Sequence, residues 1–323
     1  MPMKPELVCP AGTPAALASA VMAGADAVYA GFRNETNARH FPGLNFSMEE
    51  MVQAADFAHR HHAKLYIAIN TFPEAGNTGP WHKAISDAES CGADAVILAD
   101  VGLCDHAARK HPGLRRHLSV QASACTPEAL AFYKDRFGIA RVVLPRVLTL
   151  EDLTALVAES DVPCEAFAFG GYCIMAEGRC ALSGQACGIS PNRGGACSPA
   201  SAARFEETGD TTTFRLGMFA LDRFSASRYA GYPTVCKGRY LVEGTPCHPF
   251  AEPGSLDISS ILPQIVETGI AALKIEGRQR SRAYVAQVVH AFRSLLDGKP
   301  SPGISSLYEG GTASLGAYGK DWA

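Results

Sequence analysis

One unit recurs along this chain of 323 residues. GADAVYAG at 24–31, GADAVILAD at 92–100, GIARVVLP at 138–145 and GIAALKIEG at 269–277 each set a glycine and small residues before an apolar run. Glycine supplies the left-handed residue that ends a helix. An unbroken apolar strand fits a parallel sheet covered on both faces. Strands are accordingly expected at Glu6–Pro10, Ala27–Gly31, Lys64–Asn70, Ala93–Ala99, His117–Ala122, Arg141–Pro145, Glu165–Gly170 and Ala272–Glu276. Helical stretches fall between them, such as Thr13–Ala23, Ser47–His61, Trp81–Cys91, Pro127–Phe137 and Leu150–Ser160. Ser47 and Glu50 read as a capping box, and Thr126 and Thr149 as N-caps. Strict β-α alternation predicts an α/β fold of the TIM-like (β/α) barrel type, with a doubly wound parallel sheet as the alternative.

The pattern stops near residue 170 and resumes near 256. The expected organisation is barrel strands one to seven over 1–170, a Cys-rich insertion over 171–254, a return to the barrel with its last strand and helix over 255–296, and a Gly/Ser-rich tail over 297–323 that is draped on the surface, ordered on a partner or mobile. An insertion after a strand's C-terminal end stands over the face where barrels do their chemistry. The net charge of −3 lacks the basic excess of a nucleic-acid binder, so no nucleic acid is expected as a partner. No apolar run approaches the ~18 residues of a transmembrane segment, and MPMKPELVCPAG has no apolar signal core. These features predict a cytoplasmic location, where thiols stay reduced and disulfides are not expected.

Eleven cysteines then need another account. Cys9, Cys91, Cys104, Cys125 and Cys164 lie among apparent core segments and read as buried packing. Cys173, Cys180, Cys187, Cys197, Cys236 and Cys247 crowd the insertion, where little apolar core justifies them. None forms the tight knuckle of a zinc finger. Their wide spacing suits a metal site assembled from separate loops, and spacing alone leaves zinc and iron–sulfur both open. His59, His61 and His62 read as a solvated helix end. Lys274, inside a strand, reads as structural, paired with Glu276 or Asp26.

PAGTPAALASAVMAGADAVYAGF at 10–32, LSVQAS at 118–123, RVVLPRVLTLEDL at 141–153 and ALKIEGRQRSRAYV at 272–285 resemble the collagenase-like peptidase family. Within it, GFRNETNARHFPGLNF (31–46), AFAFGGYCIMAEGRC (166–180), CSPA (197–200) and YPTVCKGR (232–239) are similar to the ubiquinone-biosynthesis branch. Phe169-Gly170 stands where many peptidase-named relatives have His-Gly. The resemblance implies a 4Fe-4S cluster on Cys173, Cys180, Cys197 and Cys236, with Cys187 and Cys247 outside the ligand set. It implies oxygen-independent hydroxylation of the aromatic ring of ubiquinone precursors, in a heterodimer with a paralogue, UbiV. Prephenate is the implied hydroxyl donor, and a lipid-carrier protein would present the precursor. Base hydroxylation of RNA with the same donor and peptidase activity are the alternatives, though neither HExxH nor GxSxG occurs.

Prephenate's two carboxylates would need fixed donors, and guanidinium groups bind carboxylates bidentately. Arg39, Arg146 and Arg278 are the candidates, with Asn70, Gln121 and Glu276 at strand ends also facing the barrel mouth.

Overall fold

The computed structural model describes residues 4–191, 196–199, 201–225 and 234–320. Eight strands run parallel: β1 (Glu6–Pro10), β2 (Ala27–Ala30), β3 (Lys64–Ile69), β4 (Ala95–Leu98), β5 (Arg115–Leu118), β6 (Ile139–Val143), β7 (Cys164–Gly171) and, much later, β14 (Ala272–Ile275). Each pairs with the next, and β14 pairs with both β7 and β1. That double pairing closes the sheet, so the fold is the TIM-like barrel and not the open doubly wound sheet.

The helices wrap the outside: α1 (Pro14–Met22), α2 (Met48–Arg60), α3 (Gly79–Ser90), α4 (Val101–Lys110), α5 (Pro127–Phe137) and α6 (Leu150–Glu159) precede the insertion. Ser47 and Thr149 form full capping boxes, and Thr126 caps α5 through the Ala129 amide. Helix α4, absent from the reading above, is capped by Asp100, whose carboxylate accepts from the Leu103 amide at 2.9 Å. Alternate strand residues separate two cores. Leu7, Val28, Leu65, Ile67 and Leu98 face the helices, while Val8, Tyr29, Tyr66 and Ile97 face the barrel axis. Four of the five cysteines read as packing are buried, but Cys125 is exposed. It lies just before Thr126, the N-cap of α5, where the chain leaves the core after the buried Ala124.

Strand β5 is displaced from its expected span. It begins at Arg115, because Arg116 is anchored by the carbonyls of Leu114 and Phe137, both at 2.8 Å. It ends at Leu118, because Ser119 caps a 3₁₀ turn over Val120–Ala122. That turn carries Gln121 over the barrel mouth.

Between β7 and β14 lie α7 (Ala181–Cys187), a three-stranded antiparallel sheet of β8 (Ala203–Thr208), β9 (Thr211–Leu216) and β10 (Phe219–Ser225), and a hairpin of β11 (Tyr240–Val242) and β12 (Thr245–Cys247). The small sheet has its own core of Phe214, Leu216 and Leu221 against Ala186. β13 (Ser255–Asp257) pairs antiparallel with the upper end of β7, and α8 (Leu262–Glu267) leads into β14. α9 (Arg282–Leu296) completes the helical ring. The tail adds β15 (Ala313–Ser314) alongside β13, and Tyr318 Oη donates to the Phe167 carbonyl at 3.3 Å.

Candidate active site

The C-terminal ends of the strands open into a cavity of about 170 Å³ roofed by the insertion. All ten residues singled out above line it: Arg39, Asn70, Gln121, Arg146, Glu276, Arg278, Cys173, Cys180, Cys197 and Cys236. The β-α alternation puts them there. Asn70, Arg146, Glu276 and Arg278 follow strand ends directly, and Arg39 comes down from the long loop after β2.

Glu276 is the hub of the wall. Its two oxygens accept from Arg39 Nη2 at 2.7 Å and Arg146 Nη2 at 2.9 Å. Burial works to raise this carboxyl, but Arg146 and then Arg39 outweigh it and hold it at about 2. Arg146 also donates from Nη1 to Glu177 Oε1 at 2.9 Å, and its guanidinium lies 3.5 Å from the centre of the Phe167 ring. Burial pushes the Glu177 carboxyl up, against the pull of Arg146. Arg39 and Arg146 are therefore engaged with protein carboxylates.

Arg278 differs. Its Nη1 donates to Asn37 Oδ1 at 3.1 Å, and among the described residues no carboxylate lies within ion-pair reach. Complete burial, with Arg39 nearby, lowers its pKa to about 10. Asn70 is a brace, accepting from the Ala38 amide at 3.1 Å and donating to Ser119 Oγ at 3.4 Å. Gln121 sits beneath Gly178, where an added Cβ would come within 2.5 Å of its side-chain oxygen.

The four thiols come from separate elements. Cys173 lies just past β7, Cys180 is the N-cap of α7, Cys197 is in a loop and Cys236 is in the 3₁₀ turn Val235–Lys237. Burial pushes Cys173 up to about 11, with Glu177 adding to it, and Cys197 up to about 12. Both also feel Cys236, whose Sγ is 3.3 Å from Thr234 Oγ1. Cys187 packs on the small sheet's core and Cys247 sits in the hairpin, and neither lines the cavity. Among the described residues no three His, Cys, Asp or Glu side chains gather closely enough for one metal ion. A cubane asks less of its ligands, since each thiolate binds its own iron. Four thiols facing one cavity match that donor set in number and chemistry.

Sequence reasoning missed several cavity residues. Glu177 lies between two of the cysteines and Lys237 adjoins a third, so both had a positional signal. Glu309, from the tail, had none, yet it is buried, bonded to Arg280 and 3.4 Å from Lys237. Lys274 does not pair with Glu276 or Asp26. The period of two turns it inward to Glu165 at 2.6 Å, while Asp26 is held at the barrel's outer rim by Arg293. Phe169 is fully buried against Phe292, Tyr284 and Tyr308 on the helix side of β7, away from the cavity. Its departure from His therefore changes packing and does not reshape the site.

The fold and cavity define a (β/α) barrel with a thiol-roofed, arginine-rich mouth. The chain belongs to peptidase family U32, whose profile matches residues 12–304. It is 33% identical to the tRNA hydroxylation protein P1 of Bacillus subtilis over 91% of this chain, and 28% identical to a 23S rRNA 5-hydroxycytidine synthase of Escherichia coli over 90%. It is 27% identical to a collagenase of Porphyromonas gingivalis over 90%. The chain spans 63%, 39% and 65% of those relatives' lengths. Members of this family thus carry hydroxylation names as well as peptidase names. No helix among the described residues is long and apolar enough to cross a membrane.

Proposed function

We propose that this chain is a UbiU-type subunit of an oxygen-independent hydroxylase, acting with a UbiV-type paralogue on the aromatic ring of ubiquinone precursors. The observation that carries the reading is the cavity itself, where four thiols face a wall of arginines and carboxylates at a barrel mouth. Cys173, Cys180, Cys197 and Cys236 would hold a 4Fe-4S cluster, and the cluster would supply one-electron transfer. Thiols held neutral by burial must release their protons to do so, which couples loading to pH.

The chain's own residues do the binding. Arg278, which has no carboxylate partner among the described residues, offers its guanidinium to a carboxylate of the donor, for which prephenate is the candidate. Phe167 and Tyr29 supply aromatic walls, and the insertion excludes water. Glu276 keeps Arg39 and Arg146 in place. With no membrane-crossing helix described, a lipid-carrier protein would deliver the quinone precursor.

The test is protein purified without air and assayed for iron, sulfide and EPR signal beside a Cys173→Ala/Cys197→Ala double variant. Hydroxylation of a quinone precursor with UbiV and prephenate is then measured. About four irons per chain, lost in the variant, with ring hydroxylation, is expected. Iron-free or zinc-loaded protein would sink the redox reading. The names of the two RNA-hydroxylating relatives favour a second reading, base hydroxylation of RNA. Salt-dependent RNA binding and hydroxylation of RNA instead of the quinone precursor would establish it.

A further inference from the structure

Beneath the arginine layer the barrel axis holds an unusual lining. Glu6, Tyr66, His117, Arg141, Glu165 and Lys274 occupy places that barrels more often fill with aliphatic side chains. Most of these groups are accounted for by one another. Glu6 accepts from Lys64 at 2.6 Å, Arg141 at 2.5 Å and Tyr66 at 2.9 Å, and burial keeps His117 neutral. Lys274 is the exception, because it alone of this set also lines the cavity.

Three observations converge on its amine. First, Lys274 Nζ lies 4.0 Å from the centre of the Tyr29 ring, and Arg278 reaches within 5.7 Å of the same ring. A buried amine and a guanidinium with no carboxylate partner among the described residues therefore stand on one aromatic platform. Second, Glu165 touches Lys274 at 2.6 Å and Arg141 at 3.5 Å. Glu165 is thus within hydrogen-bond reach to take the amine's proton and hand it on. Third, burial disfavours the ammonium form, and Arg141 and Arg278 add to that against the pull of Glu165, lowering the Lys274 pKa. A desolvated lysine beside other cations is how amines become nucleophiles at neutral pH.

We propose that Lys274 captures a 2-oxo acid as an imine, with Arg278 binding the adjoining carboxylate. Glu165 takes the proton of the Lys274 ammonium, and Nζ attacks the carbonyl carbon to form a C–N bond. The carbonyl π pair goes to oxygen, and one proton passes from the attacking nitrogen to that oxygen, giving a neutral carbinolamine. The proton on Glu165 then returns to that oxygen, which leaves as water, and a cationic imine remains opposite the Glu165 carboxylate. No oxidant or reductant is consumed. This deepens the hydroxylase reading, since it rests on the donor being an oxo acid and says how the site would hold it.

The experiment is borohydride trapping on the full chain prepared without air. Pyruvate and phenylpyruvate are each incubated with protein and cyanoborohydride, and peptide masses are mapped. The expected result is one reduced adduct on Lys274, absent from Lys274→Met and Lys274→Arg and at least tenfold weaker in Arg278→Gln. Circular dichroism checks that each variant folds, and site mapping in the unaltered chain decides the matter even if one does not. Adducts only on exposed lysines such as Lys83 and Lys299, or no adduct, would overturn the proposal. So would a Lys274→Met protein that hydroxylates at the unaltered rate, which would leave the hydroxylase reading standing. An adduct on Lys274 in a chain that hydroxylates nothing would sink that reading and keep this one.

Discussion

Replacing Glu276 with glutamine removes one charge and little else, so it isolates what the carboxylate does between Arg39 and Arg146. The folded-state carboxyl titrates at about 2 against an ordinary 4.5. By linkage that difference favours the folded state by about 3 kcal/mol at neutral pH. The figure agrees with the roughly 3–5 kcal/mol lost when one member of a buried ion pair is removed. A depressed carboxylate contributes fully above its unfolded pKa and loses the contribution as pH falls through 4.5 toward 2. At pH 4 the unaltered chain has therefore given up about 1 kcal/mol, whereas the glutamine has nothing to give. Urea unfolding of both proteins, followed by far-UV circular dichroism, should show a gap of about 3 kcal/mol at pH 7 and about 2 at pH 4. Equal midpoints at pH 7, or a gap that does not shrink at pH 4, would refute the reasoning.

Three further outcomes are expected. Gly170→Ala should cost about 3 kcal/mol in thermal or urea unfolding. The backbone there has φ +126°, and a Cβ would sit 2.7 Å from the Glu276 Cβ and 2.9 Å from its carbonyl oxygen. Iodoacetamide at pH 7.5 should label Cys125 well before Cys91, Cys104 or Cys164, since burial raises those thiols to about 11, 12 and 11. Peptide mapping that found the buried three labelled first would contradict the packing described. Ser47→Ala should cost about 1 kcal/mol by opening the α2 capping box, and an unchanged melting temperature would show that helix end to be frayed already.

The barrel was legible because its signals are local. A glycine ending a helix and an apolar run beginning a strand both read out within ten residues, and Gly138 does adopt the left-handed cap that the pattern demands. Positions at strand ends inherited their place from that alternation, which is why Asn70, Arg146, Glu276 and Arg278 could be assigned to one mouth. Strand β5 was misplaced because an arginine pair looks solvated, as Arg115 indeed is, until the carbonyl partners that hold Arg116 are known. The small sheet was illegible for a different reason. β8 exposes most of its length, so it lacks the alternation that a half-buried strand shows. Glu309 and the Lys274–Glu165 pair join residues 72 and 109 apart in sequence to their partners, and no local pattern records such distances.

The insertion leaves and re-enters the barrel at neighbouring residues, because Gly171 and Ser255 are register partners on β7 and β13. Topologically the whole roof is the loop of a single long hairpin. Closing that loop needs one antiparallel pair, and contacts that seat the roof, such as Glu177 on Arg146, join side chains beyond the strand ends and leave the pairing of the eight strands untouched. On the proposed reading, delivery of iron and sulfide to the four thiols would be a late step on a finished platform. For the same reason a change of length within that loop would leave the pairing of the eight barrel strands unaltered.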